Sequence, residues 1–426
     1  MDENPGLGNG GSRVAANNDG VHGALAGIRV LDLTQIMAGP FCTRLLADMG
    51  ADVIKIERPP DGDDARRMGM TSRQGNESLS FIAMNRNKWG MAVDLQRPEG
   101  RQILRALIET ADVLVENFRP GTMARLGFSW ADVSAYRPEL VYCSISGFGQ
   151  TGPISHQGGF DLVAQAMAGI ITVTGTPDQP AKSGVPLSDL NAGLMASHAI
   201  LAALLHRWRT GRGQWIDTSL LEGALAYTIW ESVEYWATGV PPVGLGTRHR
   251  NSAPYQTFVT RDGRVAVGAA NQRNWERLVR VLGRPELLED SRFVDNAARL
   301  RYIADLEGIL SEAFRERDTD QWVQLLGEAG VPCGPVLNLA EAYQHPQVIA
   351  RHMEMLTEHP TAGSLPDIGF PVKMSESPPA LYRAAPLLGQ HTFRVLEGLG
   401  YTGEECRALE ERGVVRDAHW EEGEQI

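Results

Sequence analysis

The chain has 426 residues, more than one ordinary core holds, so two or three domains of roughly 100–200 residues are expected. Its 52 acidic residues against 40 Lys and Arg give a formal net charge of -12. That balance argues against a nucleic-acid or membrane partner for the whole surface and leaves room for a small anionic ligand in a local basic cleft. Four widely spaced cysteines, Cys42, Cys143, Cys333 and Cys406, show no metal-ligand spacing and read as reduced thiols of a cytoplasmic protein.

Residues 1–23 are rich in Gly, Asn and Asp and lack an apolar run, which predicts a disordered tail rather than a signal peptide or anchor. A buried strand is expected over 27–33, then a turn at Ala38-Gly39-Pro40 and a helix over 41–49, with Pro40 at the first helical position. A second strand follows over 52–57. Strand, helix and strand at this spacing make a right-handed βαβ unit of a parallel sheet. The turn over 34–39 has one glycine where a dinucleotide site needs three, so Glu57 is not read as a ribose-binding acid.

The alternation continues with a strand over 91–95, a helix over 98–110 and strands over 112–116 and 140–145. Basic and amide residues fall between these segments: Arg58, Asn85, Arg86, Asn87, Lys88, Asn117, Arg119 and Arg125. A lone surface Arg or Lys is ordinarily just solvated. Open α/β sheets bind ligands at the carboxyl ends of their strands, so a cluster after successive strands points to an anionic ligand.

The longest apolar run is SDLNAGLMASHAILAALLHRWRTGRGQ, residues 188–214, with a polar start and a basic stop at His206, Arg207 and Arg209. Its apolar residues go all the way round, which predicts a helix buried on every side at the centre of a domain. Asn191, Ser197 and His198 interrupt it too often for a membrane span. Asp189 at its start has two readings that the residues leave open, a helix cap or a carboxylate nucleophile.

A strand over 215–217 and a helix from Ser219 towards Trp236 come next, and the Gly, Pro and basic residues of 238–250 read as a linker. A hairpin turning at Asp262-Gly263 and helices over 274–282, 303–316 and 319–328 make a small α+β domain. Helices over 392–399 and 402–412 are expected to pack back on the first domain. The division is thus a tail over 1–23, a large domain over 24–237, a small one over 238–339, and a returning segment over 340–426.

The blocks RVLDLTQIMAGPFCTRLLADMGADVIKIERP, NRNKWGMAVDL, VLVENFRPGTMARLGF, SISGFGQTGP, SDLNAG and TGRGQWIDTSLLEG resemble the class III CoA-transferases. The resemblance runs from about Ala24 to Val415. It implies an α/β fold with a large Rossmann-like domain built from both chain ends, and an interlocked-ring homodimer. It implies that Asp189 attacks an acyl-CoA, forming an aspartyl anhydride and then an aspartyl-CoA thioester. Arg58 and Arg125 would meet phosphates, and Asn117, Phe118, Met37 and Ala38 the rest of the CoA, which is a substrate; no metal or tightly bound cofactor is implied.

Formyl-CoA transferase-like members carry a glutamine where this chain has Met37, and a glycine-rich lid where it has RHRNSAPYQ over 248–256, which argues against oxalate and formate as the substrate pair. The replacement resembles members that use dicarboxylic acids with succinyl-CoA, so Arg248 or His249 is expected to meet a distal carboxylate. The related α-methylacyl-CoA racemases place a histidine base where this chain has Phe160, which cannot accept a proton. A non-catalytic CoA-binding relative is the rival from another class.

Overall fold

The computed structural model describes residues 23–419, so the expected tail lies, apart from its last residue, outside them. The described chain falls into two units. The large one takes residues 23–168, 184–229 and 352–419, and the small one 169–183 and 230–351.

In the large unit, strands β1 (Arg29–Asp32), β2 (Asp52–Glu57), β3 (Lys88–Val93), β4 (Val113–Glu116), β5 (Val141–Ser146) and β6 (Trp215–Ser219) form one sheet. Their order is β3-β2-β1-β4-β5-β6, all parallel. A short strand, Val415–Arg416, closes the β3 edge antiparallel. Strands such as Val-Leu-Val-Glu in β4 are buried at every position because helices cover both sheet faces.

The helices that matter here are α1 (Ala38–Asp48), α2 (Pro98–Thr110), α3 (Thr122–Leu126), α4 (Asp161–Met167), α5 (Leu187–Thr210), α6 (Leu220–Ala226) and α7 (Ile229–Thr238). One apolar cluster joins α1 and α5 to the sheet through Cys42, Leu46, Val113, Val141, Ala192, Ala196 and Ile200. The opposite cluster joins α2 and the last helices through Ile103, Leu107, Leu31, Ile54, Leu396 and Leu409.

Two expectations need correction. Helix α1 begins at Ala38, so Pro40 is its third residue and not its first; its missing N–H still falls where no intrahelical acceptor exists. Helix α5 is not buried all round. Within the unit it buries a face of small residues, including Ala192, Gly193, Ala196, Ser197 and Ala203, while Leu194, Met195, Leu201, Leu205 and Trp208 are exposed. Small residues let α5 lie close against α1 and the sheet, and this turns the bulky residues outward. By length and composition it is the one described helix able to cross a membrane.

The small unit has its own core of Trp275, Phe293, Phe314 and Trp322 against strands β7 (Tyr255–Val259), β8 (Arg264–Gly268) and β9 (Cys333–Pro335), in the order β9-β8-β7. β7 and β8 are the expected hairpin. Residues 169–183 belong here and not with the large domain, because the Gly244 and Gly246 N–H groups donate to the carbonyls of Thr172 and Gly175, at 2.9 and 2.6 Å. The small unit also runs on to Arg351, past the expected boundary at 339.

Gly193 is where the α1–α5 approach is tightest: a Cβ there would sit 2.4 Å from the Ala38 carbonyl oxygen. Gly193→Ala is therefore expected to destabilise the fold by about 1–3 kcal/mol in urea unfolding. Wild-type stability in that variant would show that α1 is free to shift.

Candidate active site

A cleft of about 370 Å³ opens at the carboxyl ends of β1, β4 and β5. One wall is Gln35, Ile36, Met37 and Ala38, after β1; another is Asn117, Phe118, Arg119 and Pro120, after β4. Ser146 and Gly147 after β5, the segment from Gln157 to Phe160, Asp189 of α5 and Leu220 of α6 complete it. The sheet order reverses between β1 and β4, and loops leaving the sheet in opposite directions at such a point leave a crevice for a ligand. Gly147 and Gly159 meet backbone to backbone: a Cβ on Gly147 would lie 2.6 Å from the Gly159 Cα.

The first two walls are tied together. Asn117 accepts from the Gln35 N–H at 2.8 Å and donates to the Gln35 carbonyl at 2.8 Å, so both ends of its amide are used. Ile36 has φ +68°, a left-handed conformation that costs a β-branched residue about 1–3 kcal/mol. It is held there because Asp63 accepts the Ile36 N–H at 3.0 Å, while Lys55 donates to both the Thr34 carbonyl and Asp63 at 2.9 Å.

Asp189 is the third residue of α5, whose N-cap position is occupied by Pro186. The capping bond comes from elsewhere: Asp161, at the start of α4, accepts the Ser188 N–H at 3.0 Å. No hydrogen bond to the Asp189 carboxyl is recorded among the described residues. Burial first, and then the negative charge of Asp161, push its pKa up to about 6. It is still mostly ionised at neutral pH, and more basic than an ordinary aspartate.

Of the expected site residues, the cleft brings together Asp189, Met37, Ala38, Asn117 and Phe118. Arg58 and Arg125 do not line it: both are exposed, Arg58 just past β2 and Arg125 on α3, where it donates to the Thr122 hydroxyl. Arg86 and Lys88 are not ligand groups. They lie at the amino end of β3, Arg86 paired with Asp48 and Asp367, and Lys88 with Asp32. In the small unit Arg248 pairs with Glu307 at 3.5 Å, and the His249 ring sits edge-on to Trp230 and Tyr255. Gln35, Ile36, Ser146 and Gly147 were not expected, although each lies within four residues of the end of a parallel strand.

The model of CoA-transferase family III matches residues 25–392. The chain belongs to that family. The human succinyl-CoA:glutarate CoA-transferase is 40% identical over 397 residues, covering 93% of this chain and 90% of the relative. An acetyl-CoA:oxalate CoA-transferase of Acetobacter aceti is 40% identical over 355 residues, covering 83% and 90%. The crystal structure of a CAIB/BAIF family protein from Brucella suis has TM-score 0.80 at 36% identity, covering 89% of this chain and 100% of that one.

In this CoA-transferase, activity that depends on the Asp189 carboxylate should fall as pH drops through about 6, to roughly a tenth of its plateau at pH 5. Asp161→Asn removes the neighbouring charge and is expected to move that limb lower; an unmoved limb would assign it to another group. The folded carboxyl holds its proton to higher pH than in the unfolded chain, so its ionisation opposes folding above about pH 6 and the penalty fades below. Asp189→Asn is thus expected to raise stability at pH 8 by up to about 3 kcal/mol, and to leave it unchanged at pH 3.

Proposed function

We propose that this family III enzyme transfers CoA from succinyl-CoA or a similar donor to a dicarboxylic acid, with Asp189 as nucleophile. The observation that carries the reading is a half-buried carboxylate, with no hydrogen bond to it among the described residues, in a cleft at the sheet's switch point. The carboxylate oxygen adds to the thioester carbonyl, the C–S bond breaks, and a mixed anhydride forms with release of CoA thiolate. The thiolate then attacks the Asp189 carbonyl, expelling the donor as its carboxylate and leaving an aspartyl-CoA thioester. An acceptor carboxylate adds to the thioester carbonyl, the C–S bond breaks to give a second mixed anhydride and CoA thiolate, and the thiolate then attacks the acceptor's acyl carbon, forming the acceptor's CoA thioester and expelling the Asp189 carboxylate. In the first turn of α5 the Leu187 and Ser188 N–H groups already donate to the Val185 carbonyl and to Asp161, so among the described residues the Asp189 N–H is the backbone donor left there for the oxyanions formed at each addition.

Met37, Ala38 and Phe118 offer walls for the thioester and pantetheine arm, with Asn117 fixing the wall. Arg58, Arg119 and Arg125 are exposed cations for the phosphates. A dicarboxylic acceptor is supported by the succinate, glutarate and oxalate in the relatives' names. The equal identity of the oxalate enzyme weakens the exclusion of oxalate drawn from Met37 and segment 248–256. His249 suits a distal carboxylate better than Arg248. Its Nδ1 accepts the Asn251 N–H at 3.0 Å, which leaves Nε2–H as the donor, whereas Arg248 is engaged by Glu307. An interlocked homodimer is supported by uncovered apolar surface on each unit: Leu194, Leu201, Leu205 and Trp208 in the large one, Trp230, Val233 and Trp236 in the small.

Incubation with succinyl-CoA, quenching with hydroxylamine and peptide mass spectrometry should yield a hydroxamate at Asp189 and none in Asp189→Ala. Absence of any adduct in protein that binds CoA would favour a non-catalytic relative. His249→Ala is expected to raise KM for a dicarboxylic acceptor about tenfold and to spare a monocarboxylic one. An unchanged acceptor profile in both His249→Ala and Arg248→Ala would remove these residues from acceptor recognition.

A further inference from the structure

We infer that Glu116 is a positioning residue for acyl-CoA: its buried carboxylate, on the wall of a second cavity, holds the backbone of Phe118 on the wall of the first. The inference rests on reading the first cleft as the acyl-CoA site. The second cavity, of about 250 Å³, is lined by Glu116, Arg119, Tyr142, Ser144, Gln150 and Trp215 among others, and it shares Arg119 and Pro120 with the cleft. The chain from Glu116 to Pro120 is thus the partition between the two.

Glu116 is only 4% exposed. Its Oε2 accepts the Phe118 N–H at 2.9 Å. The Ser144 hydroxyl, which accepts from the Trp215 indole N–H at 3.1 Å, lines the same cavity and favours the ionised carboxylate. An ionised carboxylate accepts the Phe118 N–H in a charge-assisted bond. Protonation removes that charge and turns one oxygen into a donor, which weakens the hold on Phe118. Phe118 then has no second constraint of this kind, while its neighbour Asn117 stays clamped to Gln35.

The charge state of Glu116 changes in the working range. Burial is the largest cause, and with Asp217 on β6 it pushes the pKa up to about 7 against the opposing influence of the Ser144 hydroxyl and the Phe118 N–H. Tyr142 and Cys143 on β5 are themselves pushed up by burial and stay neutral. Arg119, from the loop after β4, is the cation on this cavity's wall, and the lining residues of α3 and the turn after it, from Gly121 to Ala131, are uncharged. Below neutrality the Phe118 wall is therefore less firmly held, and affinity for the CoA chain declines.

The test compares the full-length protein with Glu116→Gln, which keeps an acceptor for Phe118 but cannot ionise. Binding of free coenzyme A is measured calorimetrically from pH 5.5 to 8.5; ionisation of the ligand's own phosphates is common to both proteins and cancels. Wild-type affinity is expected to fall roughly threefold to tenfold more than that of the variant between pH 8 and pH 6. Rates at saturating substrate should keep the lower limb near pH 6 in both, since that limb belongs to Asp189. The variant should unfold no earlier than wild type at pH 8, because it lacks a buried charge whose raised pKa opposes folding above about pH 7. Ser144→Ala, which removes a neighbouring hydroxyl that favours the ionised form, is expected to shift the wild-type decline to higher pH. Parallel affinity profiles for wild type and Glu116→Gln would overturn the inference. Failure of the wild-type protein to bind coenzyme A at any pH would overturn the reading of the cleft, and this inference with it.

Discussion

Beneath the cleft lie two lysines with no exposure at all, Lys55 and Lys88, each 2.9 Å from a buried aspartate, Asp63 and Asp32. Burial alone would raise the Asp32 pKa, but Lys88, Lys55 and the hydroxyls of Thr34 and Thr43 together hold it below the ordinary range. Such pairs add little net stability over an apolar core, yet removing one partner strands a buried charge at about 3–5 kcal/mol. What the cluster provides is a fixed geometry. Asp32 accepts from the Thr34 N–H and hydroxyl, Lys55 donates to the Thr34 carbonyl, and Asp63 accepts from Ile36. The loop over 34–38, which supplies one wall of the cleft, hangs from these bonds, and so a left-handed Ile36 is tolerated.

The second wall depends on the first. Asn117 spends its whole amide on Gln35, so in this structure it is a strut between the loops after β1 and β4. These strands flank the point where the sheet order reverses, and without a strut their loops would diverge. A continuous chain of bonds therefore runs from the buried lysines through Thr34, Gln35 and Asn117. Loops are ordinarily the mobile part of an α/β fold; here the two that wall the cleft are fastened to fully buried ion pairs.

Much of this was legible in the sequence. Apolar runs, turn residues and spacing gave the βαβ repeat, and the polar start of α5 drew attention to Asp189. Four features were legible faintly or not at all, because each depends on what distant parts of the chain bring to it. Arg86 and Lys88 looked like groups waiting for an anion, but their partners, Asp48, Asp367 and Asp32, lie 38 to 281 residues away. Nothing local to Arg86 marks Asp367. The apolar residues of α5 were read as buried all round, since periodicity reports what a residue avoids and not which surface covers it. Glu116 carried a faint signal: an acid closing a buried Val-Leu-Val strand must be satisfied or neutral. Asp161 carried none, as its bond to Ser188 spans 27 residues.

That last bond bears on the two readings of Asp189, because it gives the cap to Asp161. A carboxylate acting as the N-cap accepts backbone N–H bonds, and these lower its pKa and occupy the lone pairs a nucleophile needs. In this chain the tasks are divided. Asp161 takes the Ser188 N–H and is fixed further by Gln165, while the carboxyl of Asp189, the third residue of the helix, has no hydrogen bond among the described residues. The same division places Asp161's charge near Asp189 and contributes to its raised pKa. With the cap on Asp161, the Asp189 carboxylate is basic, partly desolvated and still anionic at neutral pH, as the proposed nucleophile must be. A cap placed on Asp189 itself would stabilise the helix and blunt the carboxylate on which the proposed chemistry depends.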